Sequence, residues 1–383
     1  MSVIIFIIIL AILILVHEFG HFIVAKKSGI RVDEFGLGFP PKLFAKKWGG
    51  TLYTLNAIPF GGFVKIFGED PVVEVDVARN TLLEDKHQLH YGASPDGDRS
   101  ESFQYKPKWV QALVLVAGVT FNIIFAWLLI SLGFMIGLPS PTDYSGLGKV
   151  SNVQVVITEV LQNSPAQKAG LKSGDTIVSV SSGKIIIKDQ ELTPENVSKM
   201  IALSTEKNIE ITYTRRDTNT TVLIESNVDI VPGKRAVGIA MDSIGTLKLP
   251  VHLALIEGAI TTWRLINLTA TGLGKFFWNI LIFKSDFSQV SGPIGIAGVV
   301  SDANNLGFVY LLSLVALISI NLAIINLLPF PALDGGRLLF VAIEATIQRP
   351  ISPKVVSYIN ATGFALLIIL MIVVTGHDIF KLL

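Results

Sequence analysis

Long apolar runs alternate with polar stretches along this chain of 383 residues. The first run, Val3 to Val24, is interrupted only by His17, Glu18, Gly20 and His21. Two more cover Val110 to Leu138 and Phe308 to Leu328, the latter closed by Pro329 and Pro331. The last, Ala361 to Thr375, is shorter and extends upstream through Ile359. A helix needs about 20 apolar residues to cross the hydrocarbon core, so these runs predict about four transmembrane helices. A cleaved signal peptide is the alternative for the first run. It fits poorly, because no basic segment precedes Val3 and no small-residue cleavage site follows the apolar stretch.

Shorter periods appear elsewhere. Thr51–Ile58 alternates loosely, and Gly61-Gly62 leads into Phe63–Phe67, which predicts a β-hairpin over 50–67 with apolar faces. At membrane depth such an element must lie against protein or a wet cavity; a small cytoplasmic hairpin fits the pattern equally. Residues 68–106 are polar and predict a loosely structured insertion. Over 150–242, the β-branched runs Val153–Val160, Thr176–Val180, Ile209–Tyr213 and Thr221–Ile224 predict a β-rich aqueous domain. A helix is predicted near Pro194–Ser204, with Thr193 as N-cap and Pro194 in its first turn. Leu253–Leu273 is apolar but carries Glu257 and Arg264, so 250–285 predicts amphipathic helices on the outer membrane surface rather than another span.

Composition agrees with the membrane reading. Half the residues are hydrophobic and 16% are charged, against about 25% in soluble domains. The net charge of +1 supplies no basic field for nucleic acid. With no cysteine, disulfides and thiolate metal sites are excluded, so a metal must use His, Asp or Glu. Charge also sets an orientation. The stretch 25–50 holds Lys26, Lys27, Arg31, Lys42, Lys46 and Lys47 against Asp33 and Glu34, and 337–354 holds Arg337, Arg349 and Lys354 against Glu344. Both are expected in the cytoplasm. Residues 141–250, with twelve basic and twelve acidic side chains, are expected outside, together with both termini.

His17-Glu18-Phe19-Gly20-His21 matches the His-Glu-x-x-His zinc pattern. Positions i and i+4 share one helix face, so both imidazoles reach one ion and Glu18 sits beside it as a base for water. Ionisable groups inside a transmembrane run are costly and by default functional, and a proton- or ion-transport relay is the competing reading. A third ligand is required. His87, His90, His252 and His377 all fall outside the apolar runs and read as surface residues. Asp334 follows the third run at its cytoplasmic end, at the depth expected for His17 and His21 and more than 300 residues away in sequence. It is the candidate ligand, with helix capping as the alternative. Pro329 and Pro331 free backbone groups that could pair with an extended substrate. Asn321 or Asn326 could bind a developing oxyanion, or make plain helix contacts.

Taken together, His17–His21 in the first run and Asn326–Gly336 after the third resemble the bacterial site-2 proteases, in particular the PDZ-containing regulator of sigma-E protease type. Val160–Val178 is similar to the PDZ signature of that branch, Gly61–Lys65 to its membrane-associated β-loop, and Ser291–Ile296 to the segment after its PDZ region. The resemblance implies a polytopic α-helical membrane protein with a membrane-associated β-hairpin and one inserted β-rich PDZ-like domain. Its divisions would be 1–67 (zinc motif and β-loop), 68–108 (cytoplasmic insertion), 109–140 (second span), 141–248 (PDZ-like domain), 249–304 (surface helices and loop) and 305–383 (last two spans with the third ligand). It implies Zn2+ on His17, His21 and Asp334, with Glu18 as general base. Asn321, Asn326 and the β-loop glycines Gly61 and Gly62 would handle substrate. It further implies residence in the bacterial cytoplasmic membrane and single-span membrane protein substrates, such as anti-sigma factors, with remnant signal peptides as a second class. The chain departs from the family in fitting only one PDZ-like domain. It also has Ala117-Gly118-Val119 where the family usually has Ala-Gly-Pro before its asparagine, here Asn122. An ion or metal transporter built on the same groups would need inverted repeats, which the sequence lacks.

Overall fold

The computed structural model describes residues 2–69, 99–204, 208–215, 218–231, 234–282, 284 and 292–382. The polar insertion expected over 68–106, with His87 and His90, lies mostly outside them. Two compact units emerge: Met1–Ile130 with Ala259–Asn304 and Ser313–Leu383, and Ser131–Gly258 with Asn305–Leu312.

In the first unit, helix α1 (Ser2–Lys27) carries the zinc motif. It ends on Gly29 at φ 65°, with the Ile30 N–H reaching back to the Ala25 carbonyl at 2.9 Å and the Gly29 N–H to Lys26 at 3.1 Å. This is a left-handed glycine stop, and Lys26 and Lys27 in the last turn suit the helix dipole. Strands β1 (Val32–Trp48) and β2 (Thr51–Ile66) follow. The hairpin is therefore longer than expected and begins upstream, at Val32. Its turn is Gly49-Gly50, both at positive φ as a tight two-residue hairpin turn requires, and not Gly61-Gly62. Glu34–Leu37 pairs with both Leu52–Leu55 and Gly62–Lys65, so β2 folds back at Gly61 and β1 contributes two segments.

The other long helices of this unit include most of α2 (Lys108–Ile136) and of α7 (Phe308–Leu327), with α8 (Asp334–Ile347) and α9 (Pro353–Leu382). Helices α1, α2, α7 and α9 are long and apolar enough to cross a bilayer, which fits a multi-pass membrane protein. Ala25, Ile30, Val32, Ile66, Phe103, Val110, Val114, Leu115 and Val341 form one core that ties the end of α1 to the sheet, α2 and α8. Where α1 crosses α2, a Cβ on Gly20 would lie 2.6 Å from the Ala117 carbonyl oxygen, so the two backbones touch at the level of the zinc motif.

The second unit holds a seven-stranded sheet in the order β3-β11-β4-β5-β7-β8, with β6 against β5. The strands are β3 (Leu138–Pro141), β4 (Ser151–Val160), β5 (Thr176–Ser182), β6 (Ile185–Lys188), β7 (Asn208–Arg215), β8 (Thr218–Glu225) and β11 (Ile239–Leu247). A small pair, β9 (Asn227–Val231) and β10 (Lys234–Ala236), stands apart. Alternate residues of β7 (Ile209, Ile211 and Tyr213) point inward, with Ile157, Ile177, Val180 and Ile224 from neighbouring strands. Helix α3 (Pro165–Lys168) and helix α4 (Pro194–Leu203) cover them. Thr193 caps α4 by accepting the Asn196 N–H at 3.2 Å, and Val197, Met200 and Ile201 form its buried stripe. Asp175, 1% exposed, accepts two bonds of 2.6 Å from the Arg215 guanidinium and one of 2.8 Å from the Lys172 N–H. The bonded carboxylate holds the Arg215 pKa above its ordinary value.

Between the sheet and the last spans, the expected surface helices over 250–285 are instead one continuous helix, α5 (Val251–Leu281), of 31 residues. It is followed by α6 (Pro293–Leu306). Glu257 breaks the apolar pattern of α5 but is satisfied internally, accepting from the Tyr144 hydroxyl at 2.5 Å and the Leu147 N–H at 2.9 Å.

Candidate metal centre

The i, i+4 spacing on α1 puts His17 and His21 on one buried face, ring centroids 4.8 Å apart. Their Nε2 atoms lie 3.1 Å from each other. Asp334 arrives from the far end of the chain: its Oδ2 is 2.9 Å from His17 Nε2 and 3.3 Å from His21 Nε2. The elbow between α7 and α8 makes this possible. Pro329 and Pro331 end the helical bonding, Ala332 turns at φ 72°, and Asp334 opens α8. A Cβ at Gly335 would lie 2.1 Å from the Leu328 carbonyl oxygen, and one at Gly336 2.2 Å from that of Phe330. Only glycines permit so tight a return. The Asn360 side chain on α9 accepts the Ala332 N–H at 3.3 Å, and Arg337 pairs with Glu69 at the end of β2. Asp334 makes no capping bond in this helix; Leu333 holds the N-cap position without a side-chain bond.

Helix α2 forms the back wall. Val114, Gly118 and Asn122 recur every four residues and so share one face. His21 Nδ1 lies 2.8 Å from the Val114 carbonyl oxygen and donates to it, which leaves Nε2 to face the cluster. A Cβ on Gly118 would stand 2.3 Å from His21 Nε2 and 2.8 Å from His17 Nε2. Asn122, fully buried, comes within 3.3 Å of His17 Nδ1.

The sheet lies over the other side. A Cβ on Gly62 would be 3.8 Å from Glu18 Cγ, and one on Gly61 3.3 Å from Ile14 Cδ1, so the fold-back of β2 rests on the α1 face that carries Glu18. Asn326 Nδ2 is 3.5 Å from His17 Nε2. Asn321, further up α7, makes no hydrogen bond to the cluster among the described residues. His252 is exposed and His377 half-buried, and neither belongs to the group of donor atoms that could hold a metal. Sequence reasoning passed over Val114 and gave Gly118 and Asn122 no part in the centre. An asparagine inside an apolar run was the available signal for Asn122; the other two contribute a carbonyl and an absent side chain, which no composition reveals.

His17, His21 and Asp334 are the only group among the described residues whose donor atoms could hold a metal ion. Tetrahedral zinc with ligands near 2.0–2.1 Å sets neighbouring donors about 3.3 Å apart. Separations of 2.9, 3.1 and 3.3 Å fit that ion. Two imidazoles and a carboxylate are also the donor set of a three-ligand zinc centre with one position left for water or substrate.

Comparison with known proteins points the same way. The profile of Peptidase family M50 matches residues 5–370. The zinc metalloprotease RasP of Bacillus licheniformis is 30% identical, with 100% of this chain and 99% of that protein covered. The zinc metalloprotease RasP of Shouchella clausii is 32% identical, with 98% of each covered. The regulator of sigma-W protease RasP of Bacillus subtilis is 29% identical, with 100% and 99% covered.

Proposed function

This chain belongs to peptidase family M50 and is a zinc metalloprotease, and from that premise we propose that it hydrolyses peptide bonds of single-span membrane proteins inside the bilayer. In this reading His17, His21 and Asp334 hold zinc and Glu18 is the general base. The observation that carries it is the convergence of three donor atoms within 3.3 Å from positions 317 residues apart in sequence, on and beside apolar helices. Family membership favours proteolysis over an ion or metal transporter using the same groups.

Bound zinc supplies a Lewis acid and lowers the pKa of water at the centre to about 7. Glu18, about one helical turn from His21 and beneath the β2 fold-back, would take the proton of the attacking water and return it to the leaving amine. Asn326 offers an N–H beside His17 where the scissile carbonyl gains charge. Asn321, five residues earlier on α7, belongs to the substrate path. An unwound substrate segment would pair along Gly61, Gly62 and the residues after them. Gly62–Lys65 pairs with Glu34–Leu37 on one side, and no other strand among the described residues pairs with it.

The seven-stranded domain is proposed as a PDZ-like size filter or docking module, outside the membrane with both termini. Loop charges support that orientation, and with it residence in a bacterial cytoplasmic membrane. The name of the Bacillus subtilis relative, a regulator of sigma-W protease, suggests anti-sigma factors as the substrate class, with remnant signal peptides as a second.

The test is Glu18→Gln in purified full-length protein with a single-span substrate. Cleavage should fall at least about 100-fold while elemental analysis still finds zinc. Undiminished cleavage by this variant, or survival of wild-type cleavage in excess chelator, would overturn the mechanism.

A further inference from the structure

We infer that Asn122 is a positioning residue of the metal centre, its side-chain oxygen accepting the Nδ1–H of His17 so that Nε2 is left unprotonated for the metal. This rests on the zinc reading above and deepens it. A neutral imidazole carries one N–H, and the nitrogen that binds metal cannot keep it. His17 Nε2 faces His21 Nε2 and Asp334 Oδ2, so its proton must sit on Nδ1 and needs an acceptor. The group at Nδ1 is the Asn122 amide, whose Nδ2 lies 3.3 Å away and whose Oδ1 is buried with no hydrogen-bond partner. In that orientation two donors would meet across 3.3 Å. A half-turn about the last side-chain bond exchanges oxygen for nitrogen at almost no change in shape. It sets the amide oxygen against the Nδ1–H.

The same helix already does this for the other histidine. His21 Nδ1 gives its proton to the Val114 backbone carbonyl at 2.8 Å. Two i+4 steps along α2, past Gly118, reach Asn122, whose side-chain carbonyl stands to His17 as the Val114 carbonyl stands to His21. A backbone carbonyl cannot serve both, because α1 presents its histidines one helical turn apart. Asn122 is fixed for the task. It is 0% exposed, and its own backbone oxygen accepts the Ser319 hydroxyl of α7 at 2.9 Å. Partners of this kind, which orient a metal-binding histidine through its second nitrogen, are typically worth 10–100-fold in metal affinity.

The experiment compares purified full-length wild type, Asn122→Leu, Asn122→Asp and His17→Ala. Zinc content is measured by elemental analysis, and zinc retention is measured against a titrated chelator. Asn122→Leu fills the same space without an acceptor and should release zinc at roughly 10–100-fold lower chelator concentration. Asn122→Asp keeps an acceptor and should hold zinc at least as well as wild type; a residue that merely fills space would not be rescued this way. Equal retention by Asn122→Leu and wild type, while His17→Ala loses the metal, sinks this inference alone. So does loss of zinc from Asn122→Asp, which decides the matter should the leucine variant not fold. Absence of zinc from active wild-type protein sinks the metal centre and this inference with it.

Discussion

At position 118 there is room for a hydrogen and nothing larger. A methyl group there would overlap His21 Nε2 at 2.3 Å and His17 Cε1 at 2.7 Å, the two rings that must stay free to converge. Neither ring can retreat. His21 is held by the Val114 carbonyl, and α1 is pressed onto α2 at Gly20. Gly118→Ala should therefore strike the centre before it strikes the fold. We expect zinc retention to drop at least about tenfold, as when a ligand's support is lost, with a stability cost of about 1–3 kcal/mol from overpacking. Thermal unfolding and chelator titration on the same samples separate the two effects. Wild-type zinc retention in the alanine variant would show that the rings have slack.

Single elements depend on caps supplied from elsewhere in the chain. Helix α6 begins after Gly292, and its cap comes from α9: Asp378, 4% exposed, accepts the Gly292 N–H at 3.1 Å and the Gly295 N–H at 2.8 Å. Asp378→Ala removes the acceptor from the buried Gly292 donor and the half-buried Gly295 donor and should cost about 1–3 kcal/mol, read as a lower unfolding midpoint and faster proteolysis around 292–306. An unchanged midpoint would mean that water replaces the cap. Such a bond spans 83 residues or more and has no sequence pattern, which explains what could and could not be read in advance. Helices α1, α2 and α7 were legible because length and apolarity alone define them. Strands β4, β5, β7 and β8 were legible from β-branched runs. Helix α9 reaches from Pro353 to Leu382, well past its apolar stretch, since Lys354, Ser357 and Asn360 are polar yet tolerate a helix. Strand β1 was hidden, because Gly36, Gly38, Pro40 and Pro41 read as breakers; Gly38, Pro40 and Pro41 fall between its two paired segments, Glu34–Leu37 and Lys42–Trp48, and Gly36 is paired on both sides. At the centre, the proximity of His17, His21 and Asp334 followed from a motif and a matching depth. The wall from α2 did not, because it works through backbone, a missing side chain and one amide.

The whole chain raises the question of which side of the membrane each polar segment faces. In the proposed topology the four candidate spans put both termini on one side, and charge assigns the lysine-rich stretch 42–47 with Arg337, Arg349 and Lys354 to the cytoplasm. His21 is six residues from the end of α1, about 9 Å at 1.5 Å per residue. Asp334 follows the end of α7 through a short elbow, so the proposed cut falls toward the cytoplasmic face. In the proposed topology the seven-stranded domain is assigned to the opposite side, where it would meet a substrate before its helix enters. Because the chain has no cysteine, single substitutions at exposed positions report orientation without background. Lys184→Cys, in the turn between β5 and β6, should react with a membrane-impermeant thiol reagent in intact spheroplasts. Lys47→Cys and Arg349→Cys should react only after the membrane is opened; all three side chains are exposed. If Lys47 labels in intact spheroplasts and Lys184 does not, the orientation is inverted, and the domain could not screen substrates on the outer side.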